Sequence, residues 1–221
     1  LKGRELGTVK LMVTNLLKRL ESSWYSFVLT AESIYKKINT AIKAVEEFEN
    51  NSSSIYMIDK VYDDDITAYG IENDRYQIDF RDMDYKSWLR DLKKDEEVLS
   101  NLLSLFSNMT PENDNKLNTL KELIRKKIEN PLNPGNRKIL IFTEWADTAG
   151  YLYDNLADYI KQEFGLNTAV ITGDSSTSKT NLPHDRKIKM DFNMLLTLFS
   201  SIITFYSKIR KSGKHLRAIC T

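Results

Sequence analysis

The feature that most constrains this fold is a long segment, from Thr8 to Tyr69, that contains neither glycine nor proline. Apolar residues recur along most of it at spacings of four and three, which is the pattern of an amphipathic helix. A helix of roughly 40 residues would be about 60 Å long, so it needs a second helix alongside to cover its apolar face. The pattern runs through Val13, Leu17, Leu20, Trp24, Phe27, Ala31, Ile34, Ile38, Ala41, Val45 and Phe48.

A second segment with the same spacing supplies the expected partner, and its apolar pattern is interrupted once, by Glu96. We therefore expect an antiparallel helical hairpin, and we interpret residues 1–110 as a helical arm. Its connection holds a short alternating strand and the acidic run Asp63–Asp65, which we interpret as a solvated loop rather than a cation site. The apolar positions of the second helix are Tyr85, Leu89, Leu92, Leu99, Leu103 and Phe106.

The pattern changes at Pro111, and residues 111–200 predict a different architecture. Lys138–Thr143 is a continuous apolar run typical of a buried parallel strand, and Asn167–Thr172 is a second strand. The helix between them should end at Gly165 as its C-cap. The order strand, helix, strand, loop, helix predicts an α/β fold with a parallel sheet. The helix should turn Ala149, Leu152, Leu156, Ile160 and Phe164 inward.

Composition excludes several classes of function. The formal net charge is +1, so charge alone makes no case for a nucleic-acid partner. The single cysteine, Cys220, excludes an intrachain disulfide, and with two histidines it is too few for a Cys/His zinc site. No apolar stretch approaches the roughly 20 residues that span a bilayer, and no signal peptide is evident. These features predict a cytoplasmic protein with no membrane partner and no metal site.

Polar residues follow both predicted strands. Thr143 comes at the end of the first strand, and Thr172 with Gly173 at the end of the second. In a parallel sheet both loops open at the same edge, where hydroxyls and backbone N–H groups can bind phosphate. The alternative is ordinary cap chemistry, since threonine commonly caps the helix after a strand.

Four segments, in this order, resemble the second motor domain of superfamily-2 helicases, and the nearest likeness is to the remodeller-like bacterial branch. They are Leu16–Ser23, Asp114–Lys121, Lys138–Thr148 and Ile171–Gly173. The resemblance implies an incomplete RecA-like domain in residues 111–200. It also implies that Thr143, Thr172 and Gly173 contact the nucleic-acid backbone, with Glu144 and Trp145 as neighbours in the loop.

The same resemblance implies a fragment of an ATP-dependent helicase or translocase. The DNA or RNA backbone and the first motor domain would be its partners, and ATP with magnesium would be needed by the intact protein. We expect no cofactor and no catalytic residue in this chain, because neither a phosphate loop nor an arginine-bearing motif is found. After Ser200 the chain departs from the family as a basic tail, residues 201–221, which indicates a frameshift or truncation. An incomplete sheet also predicts self-association.

Two other functions compete with this interpretation. Gly173–Thr180 follows a strand and nearly fits a phosphate loop, in which Lys179 and Thr180 would bind a nucleotide. Ser178 stands where that loop needs glycine, which argues against it. The third hypothesis is a coiled-coil interaction module built on the long helical arm.

Overall fold

The computed structural model describes residues 2–51, 55–58, 76–173, 178–183, 192–199 and 217–220. The predicted acidic run Asp63–Asp65, the loop residues 174–177 and most of the basic tail lie outside these residues. The chain divides into two compact units, Leu1–Leu29 with Asn108–Thr221, and Thr30–Ser107. Within the described parts, no helix combines the length and apolar character that a membrane crossing needs.

The described elements are mostly helices. The helices are α1 Lys2–Ser22, α2 Trp24–Asn51, α3 Tyr85–Leu105, α4 Asn115–Glu129, α5 Ala146–Phe164 and α6 Phe192–Phe199, with short 3-10 turns at Phe80–Asp82 and Pro111–Asn113. The strands are β1 Ile55–Ile58, β2 Tyr76–Asp79, β3 Leu140–Thr143, β4 Ala169–Ile171, β5 Lys179–Thr180 and β6 Arg217–Cys220.

The long helix predicted from the apolar spacing is interrupted at Ser23, which separates α1 from α2. Ser23 is buried, and its Oγ accepts a hydrogen bond of 3.1 Å from the backbone N–H of Ser26. A serine that caps the following turn in this way is typical of a helix start. Apolar spacing does not reveal the break, because it continues in register across Ser23.

The predicted antiparallel hairpin is confirmed within the unit Thr30–Ser107. Ala41 and Ile42 of α2 pack with Leu92 of α3, beside Ile38, Trp88 and Leu89. Glu96, which interrupts the apolar pattern, accepts a hydrogen bond of 2.9 Å from the Tyr35 hydroxyl. At the other end of the hairpin, Phe80 is buried against Phe48 and Trp88. The prediction was wrong for Trp24, which packs in the other unit.

The core of the other unit lies between α4 and α5. Leu117, Ile124 and Ile128 of α4 meet Tyr151, Leu156 and Ile160 of α5. The predicted inward face of α5 is confirmed, because Ala149, Leu156 and Ile160 are buried and Leu152 and Phe164 pack against the cores. Gly165 ends the helix with φ 70°, in the left-handed region that favours glycine.

The predicted parallel RecA-like sheet is wrong. All strand pairs among the described residues are antiparallel, in a two-stranded sheet β1-β2 and a four-stranded sheet of order β3-β6-β4-β5. Strand β6, from the predicted basic tail, lies between β3 and β4 and pairs with both. It thereby takes up the hydrogen-bonding edges through which β3 and β4 would have paired with each other.

Candidate nucleic-acid interface

Three of the segments that carry the helicase resemblance meet at one place in the first unit, although they are far apart in the sequence. They are the end of α1 (Arg19–Ser23), the start of α4 (Asp114–Leu117) and the turn from β3 into α5 (Thr143–Thr148). We call this meeting point the motif junction. Hydrogen bonds and an ion pair join the three segments directly.

Hydroxyl groups hold the end of α1 against the start of α5. Thr148 is buried, and its Oγ1 lies 2.9 Å from Ser22 Oγ and 3.1 Å from Ser23 Oγ. Ser22 Oγ is also 3.5 Å from Thr143 Oγ1. These bonds fix the chain at Ser23, where α1 ends and α2 begins.

Arg19 makes the second link between α1 and α5. One of its guanidinium nitrogens lies 3.0 Å from Asp147 Oδ2 and donates to Ser26 Oγ at 3.3 Å. The guanidinium also lies over the Trp145 ring, 4.2 Å from its centroid. The Arg19 side chain is 11% exposed and the Asp147 side chain 43%, so the pair is shielded from solvent on the arginine side only.

Asp114 organises the start of α4. Its Oδ1 accepts hydrogen bonds from the backbone N–H groups of Lys116 and Leu117, at 2.9 and 3.0 Å. Its Oδ2 accepts from the Tyr151 hydroxyl at 2.8 Å, and that hydroxyl accepts from Trp24 Nε1 at 3.3 Å. Burial raises the pKa of Tyr151, and the hydrogen bond to Asp114 raises it further.

Lys116 ties the start of α4 to the end of α1. Its Nζ donates to the backbone carbonyls of Glu21 and Ser22, and the distance to the Ser22 oxygen is 3.1 Å. Carbonyls in the last turn of a helix have no partner within the helix, and a lysine there also interacts favourably with the helix dipole. The lysine therefore has a structural role, and its charge stays at the surface.

An open groove of about 1110 Å³ runs along the motif junction. Three exposed apolar side chains line it, those of Leu20, Leu123 and Phe142. Two cations, Lys18 and Lys116, and three carboxylates, Glu21, Asp114 and Glu144, also line it. The groove therefore carries mixed charge rather than a basic stripe.

Three of the five predicted site residues, Thr143, Glu144 and Trp145, line this groove, and they differ in burial. Thr143 is half-buried, and its Oγ1 accepts from the backbone N–H of Trp145 at 3.4 Å. This is a local turn contact and not a helix cap, because the N-cap of α5 is Trp145 and no side chain caps that helix. Glu144 is exposed. Trp145 is buried, and its indole Nε1 has no hydrogen-bond partner among the described residues.

Thr172 and Gly173 follow β4, at the same edge of the sheet as Thr143. Thr143 pairs with Arg217 and Ile171 with Ala218, so β6 lies between the two strand ends. Two strand spacings put Thr143 and Thr172 roughly 10 Å apart. Thr172 is buried and Gly173 is exposed. The two threonines therefore share an edge but do not touch.

Lys179 and Thr180, the residues of the alternative phosphate loop, form the short strand β5. Thr180 Oγ1 donates to the Thr168 carbonyl at 3.0 Å, and Lys179 Nζ lies 3.6 Å from Asp154 Oδ1. In a phosphate loop the corresponding pair begins a helix, whose N-terminus faces the phosphates. This geometry gives the nucleotide-binding alternative no support.

The residues that build the motif junction were only partly foreseen. Arg19, Ser23, Asp114 and Thr148 lie inside segments that carry the resemblance, but no role was predicted for them. The resemblance of the whole segments was the only available signal for them. In the described part of the chain, no group of three or more His, Cys, Asp or Glu side chains is placed to bind a metal.

Comparisons with known protein families, with characterised proteins and with solved structures found no match.

Proposed function

We propose that this chain contributes a nucleic-acid backbone contact to an ATP-dependent helicase or translocase of superfamily 2. The observation that carries the proposal is the motif junction. Ser22 and Thr148 are 126 positions apart, and Lys116 and Ser22 are 94 apart, yet side-chain hydrogen bonds connect them. Chance likeness of three short segments gives no reason for them to meet, whereas a shared functional surface does.

The chemistry of the groove supports backbone binding rather than base recognition. Threonine and serine hydroxyls, lysines and backbone N–H groups are the usual ligands of phosphate oxygens. Lys18 and the hydroxyls of Ser22 and Thr143 line the groove. Because carboxylates line it as well, we expect weak binding that is independent of sequence and falls with salt. DNA and RNA are both candidate partners.

The proposal assigns ATP hydrolysis to the complete motor rather than to this chain. Phosphoryl transfer needs a phosphate loop, a carboxylate that holds magnesium and an arginine finger, and loss of the finger alone costs a factor of about 10³ to 10⁵ in rate. We therefore expect no turnover above background from the chain alone, with or without nucleic acid. A cytoplasmic location and contact with a first motor domain belong to the same proposal.

The direct test is binding of labelled single-stranded and double-stranded DNA and RNA, measured by fluorescence anisotropy at several salt concentrations. The variant Lys18→Ala removes a cation that lines the groove. Lys10→Ala is the matched control, because Lys10 is exposed on the same helix but does not line the groove. We expect Lys18→Ala to lower affinity and to reduce the salt slope by about 0.7 to 0.9, the value of one phosphate contact.

A second pair of variants tests the predicted threonines. The double variant Thr143→Ala/Thr172→Ala should have a lower affinity for nucleic acid than wild type. The control is Thr14→Ala/Thr197→Ala, because both threonines are exposed and each donates to the carbonyl four residues earlier in its own helix. Equal affinity of the test and control variants, or affinity unaffected by salt, would contradict the proposal.

A helical interaction module is the second candidate, because α1 exposes an apolar stripe. Val9, Met12, Val13, Leu17 and Leu20 are 41–60% exposed and recur at helical spacing. Such a stripe normally packs against another helix. If this function is correct, Leu17→Glu should abolish binding to a helical partner while Lys10→Ala leaves it unchanged, and nucleic-acid affinity should not depend on Lys18.

A further inference from the structure

The extended segment around β3 has two faces of different character. Lys138, Leu140, Phe142 and Glu144 are exposed, and the residues between them are half-buried. Leu140 is 42% exposed and Phe142 is 59% exposed, which is unusual for large apolar side chains in the middle of a sheet segment. Ile139 and Ile141, on the opposite face, pack against the core between α4 and α5.

Strand β3 is also the end strand of its sheet. In the order β3-β6-β4-β5 it has β6 on one side and no neighbouring strand among the described residues on the other. The outer backbone N–H and C=O groups of such a strand form a template for another strand. The exposed apolar pair Leu140 and Phe142 lies directly beside this edge.

The sequence of the edge is complementary to itself. If two copies pair antiparallel around a two-fold axis at Ile141, Leu140 of each copy lies opposite Phe142 of the other. In the same register, Lys138 lies opposite Glu144. An aromatic side chain opposite an aliphatic one, and a cation opposite an anion, are both favourable cross-strand pairs. All four side chains are exposed; Leu140 and Phe142 lie within β3, and Lys138 and Glu144 flank it on either side.

Other two-fold registers lose this match. Because side chains alternate between faces, the axis can move only to another residue position. An axis at Leu140 puts Lys138 opposite Phe142, and an axis at Phe142 puts Glu144 opposite Leu140. Only the axis at Ile141 pairs both the charges and the apolar side chains. We propose that β3 is a homodimerisation edge, on which a second copy of this chain pairs antiparallel about Ile141.

Charge reversal tests this interface in the full chain by analytical ultracentrifugation over a wide concentration range. Wild type should show a monomer–dimer equilibrium. Lys138→Glu and Glu144→Lys should each raise the dissociation constant by about tenfold or more, because each places two like-charged pairs across the axis. The exchange Lys138→Glu/Glu144→Lys should restore dimerisation, since it recreates both ion pairs with their signs swapped.

A matched exchange on α4 is the control. Lys126 and Glu129 are exposed and three positions apart, so Lys126→Glu, Glu129→Lys and their combination should leave the dissociation constant unchanged. Lys138 Nζ also donates to the Phe199 carbonyl at 2.6 Å, so circular dichroism must show that each variant stays folded. A fold defect would not be corrected by the second reversal.

Disulfide formation tests the register independently. In a Cys220→Ser background, an equimolar mixture of Leu140→Cys and Phe142→Cys chains should cross-link, because opposed Cα atoms in an antiparallel pair are about 4.5 to 5.5 Å apart. Either variant alone should not, because its two cysteines would be offset by two residues and about 8 Å apart.

Several outcomes would overturn the proposal. They are a monomer at all concentrations, no restoration by the double exchange, and cross-linking of either cysteine variant alone. If Leu17→Glu abolishes self-association and the β3 variants do not, the apolar stripe of α1 is the interface and β3 is not.

Discussion

The helical hairpin of Thr30–Ser107 and the motif junction of the other unit are held together by different forces. In the hairpin, apolar and aromatic side chains of α2 and α3 pack together, and Phe80 is buried against Phe48. In the junction, hydroxyls, a carboxylate and a guanidinium connect α1, α4 and α5 through individual hydrogen bonds.

This difference determines what each region tolerates. Apolar packing depends on buried area and shape, so a substitution costs in proportion to the volume lost. A buried polar network depends on complete pairing, so the loss of one partner leaves another group unsatisfied. We therefore expect the stability of the hairpin to depend on the size of its side chains. The stability of the motif junction should depend on their hydrogen-bonding groups, even when size is unchanged.

The largest effect should come from the hairpin. Phe80 is 1% exposed, and Phe80→Ala should lower the free energy of unfolding by about 3 to 5 kcal/mol, through lost burial and a residual cavity. Urea unfolding followed by circular dichroism measures this. Leu105→Ala is the control, because Leu105 is 76% exposed and should have little effect. Similar stabilities of the two variants would contradict the role assigned to the aromatic cluster.

Asp114→Ala should have the next largest effect, about 2 to 4 kcal/mol. It removes the cap of α4, worth about 1 kcal/mol, and leaves the buried Tyr151 hydroxyl without its acceptor, worth about 1 to 3 kcal/mol. Asp84→Ala is the matched control, because Asp84 caps α3 through Ser87 N–H but is exposed. If both variants lose the same stability in urea unfolding, the link to Tyr151 contributes nothing.

Thr148→Val keeps the size of the side chain and removes its hydroxyl. Ser22 and Ser23 would both lose a hydrogen bond, so we expect a loss of about 1 to 2 kcal/mol. In the hairpin, Tyr35→Phe is the corresponding change and should cost less, because its acceptor Glu96 is only half-buried. Thermal unfolding of the two variants measures both losses. A larger loss of stability for Tyr35→Phe than for Thr148→Val would contradict the proposed difference between the two regions.

Tyr151→Phe removes two hydrogen bonds, one donated to Asp114 and one accepted from Trp24, and at neutral pH we expect a loss of about 1 to 2 kcal/mol. Its signature lies in the pH dependence. Because the pKa of Tyr151 is raised in the folded state, the unfolded chain loses this proton first as pH rises. This contribution to stability is therefore complete below about pH 10 and declines above it. Urea unfolding between pH 8 and 11 should show a shallower alkaline decline for Tyr151→Phe than for wild type.

Much of the local structure could be predicted because local patterns encode it. The spacing of apolar residues gave the α2–α3 hairpin and the inward face of α5, and Gly165 marked the end of that helix. The strands β3 and β4 were also located from their apolar runs. The break at Ser23 was missed, because it depends on a serine side chain that caps a turn while the apolar spacing continues.

The sequence predicted the candidate site from the residues at the ends of β3 and β4. It did not predict the residues whose hydrogen bonds connect the segments. Thr143 and Thr172 are at the same edge of the sheet, but the Ser22, Ser23 and Thr148 cluster was not foreseen. Hydrogen bonds between residues more than a hundred positions apart have no periodic signature, so resemblance of whole segments was the only available signal.

The sequence by itself determined the apolar faces of the hairpin helices and of α5 and the positions of β3 and β4, because those properties follow from the neighbours of each residue along the chain. The tertiary structure alone decided how the strands pair. Ile219 of β6 is the register partner of Ile141 in β3 and of Val170 in β4, so a strand from the end of the chain separates β3 from β4. Either a parallel or an antiparallel neighbour satisfies the same backbone groups, so the apolar runs of β3 and β4 could not specify which strand would lie beside them.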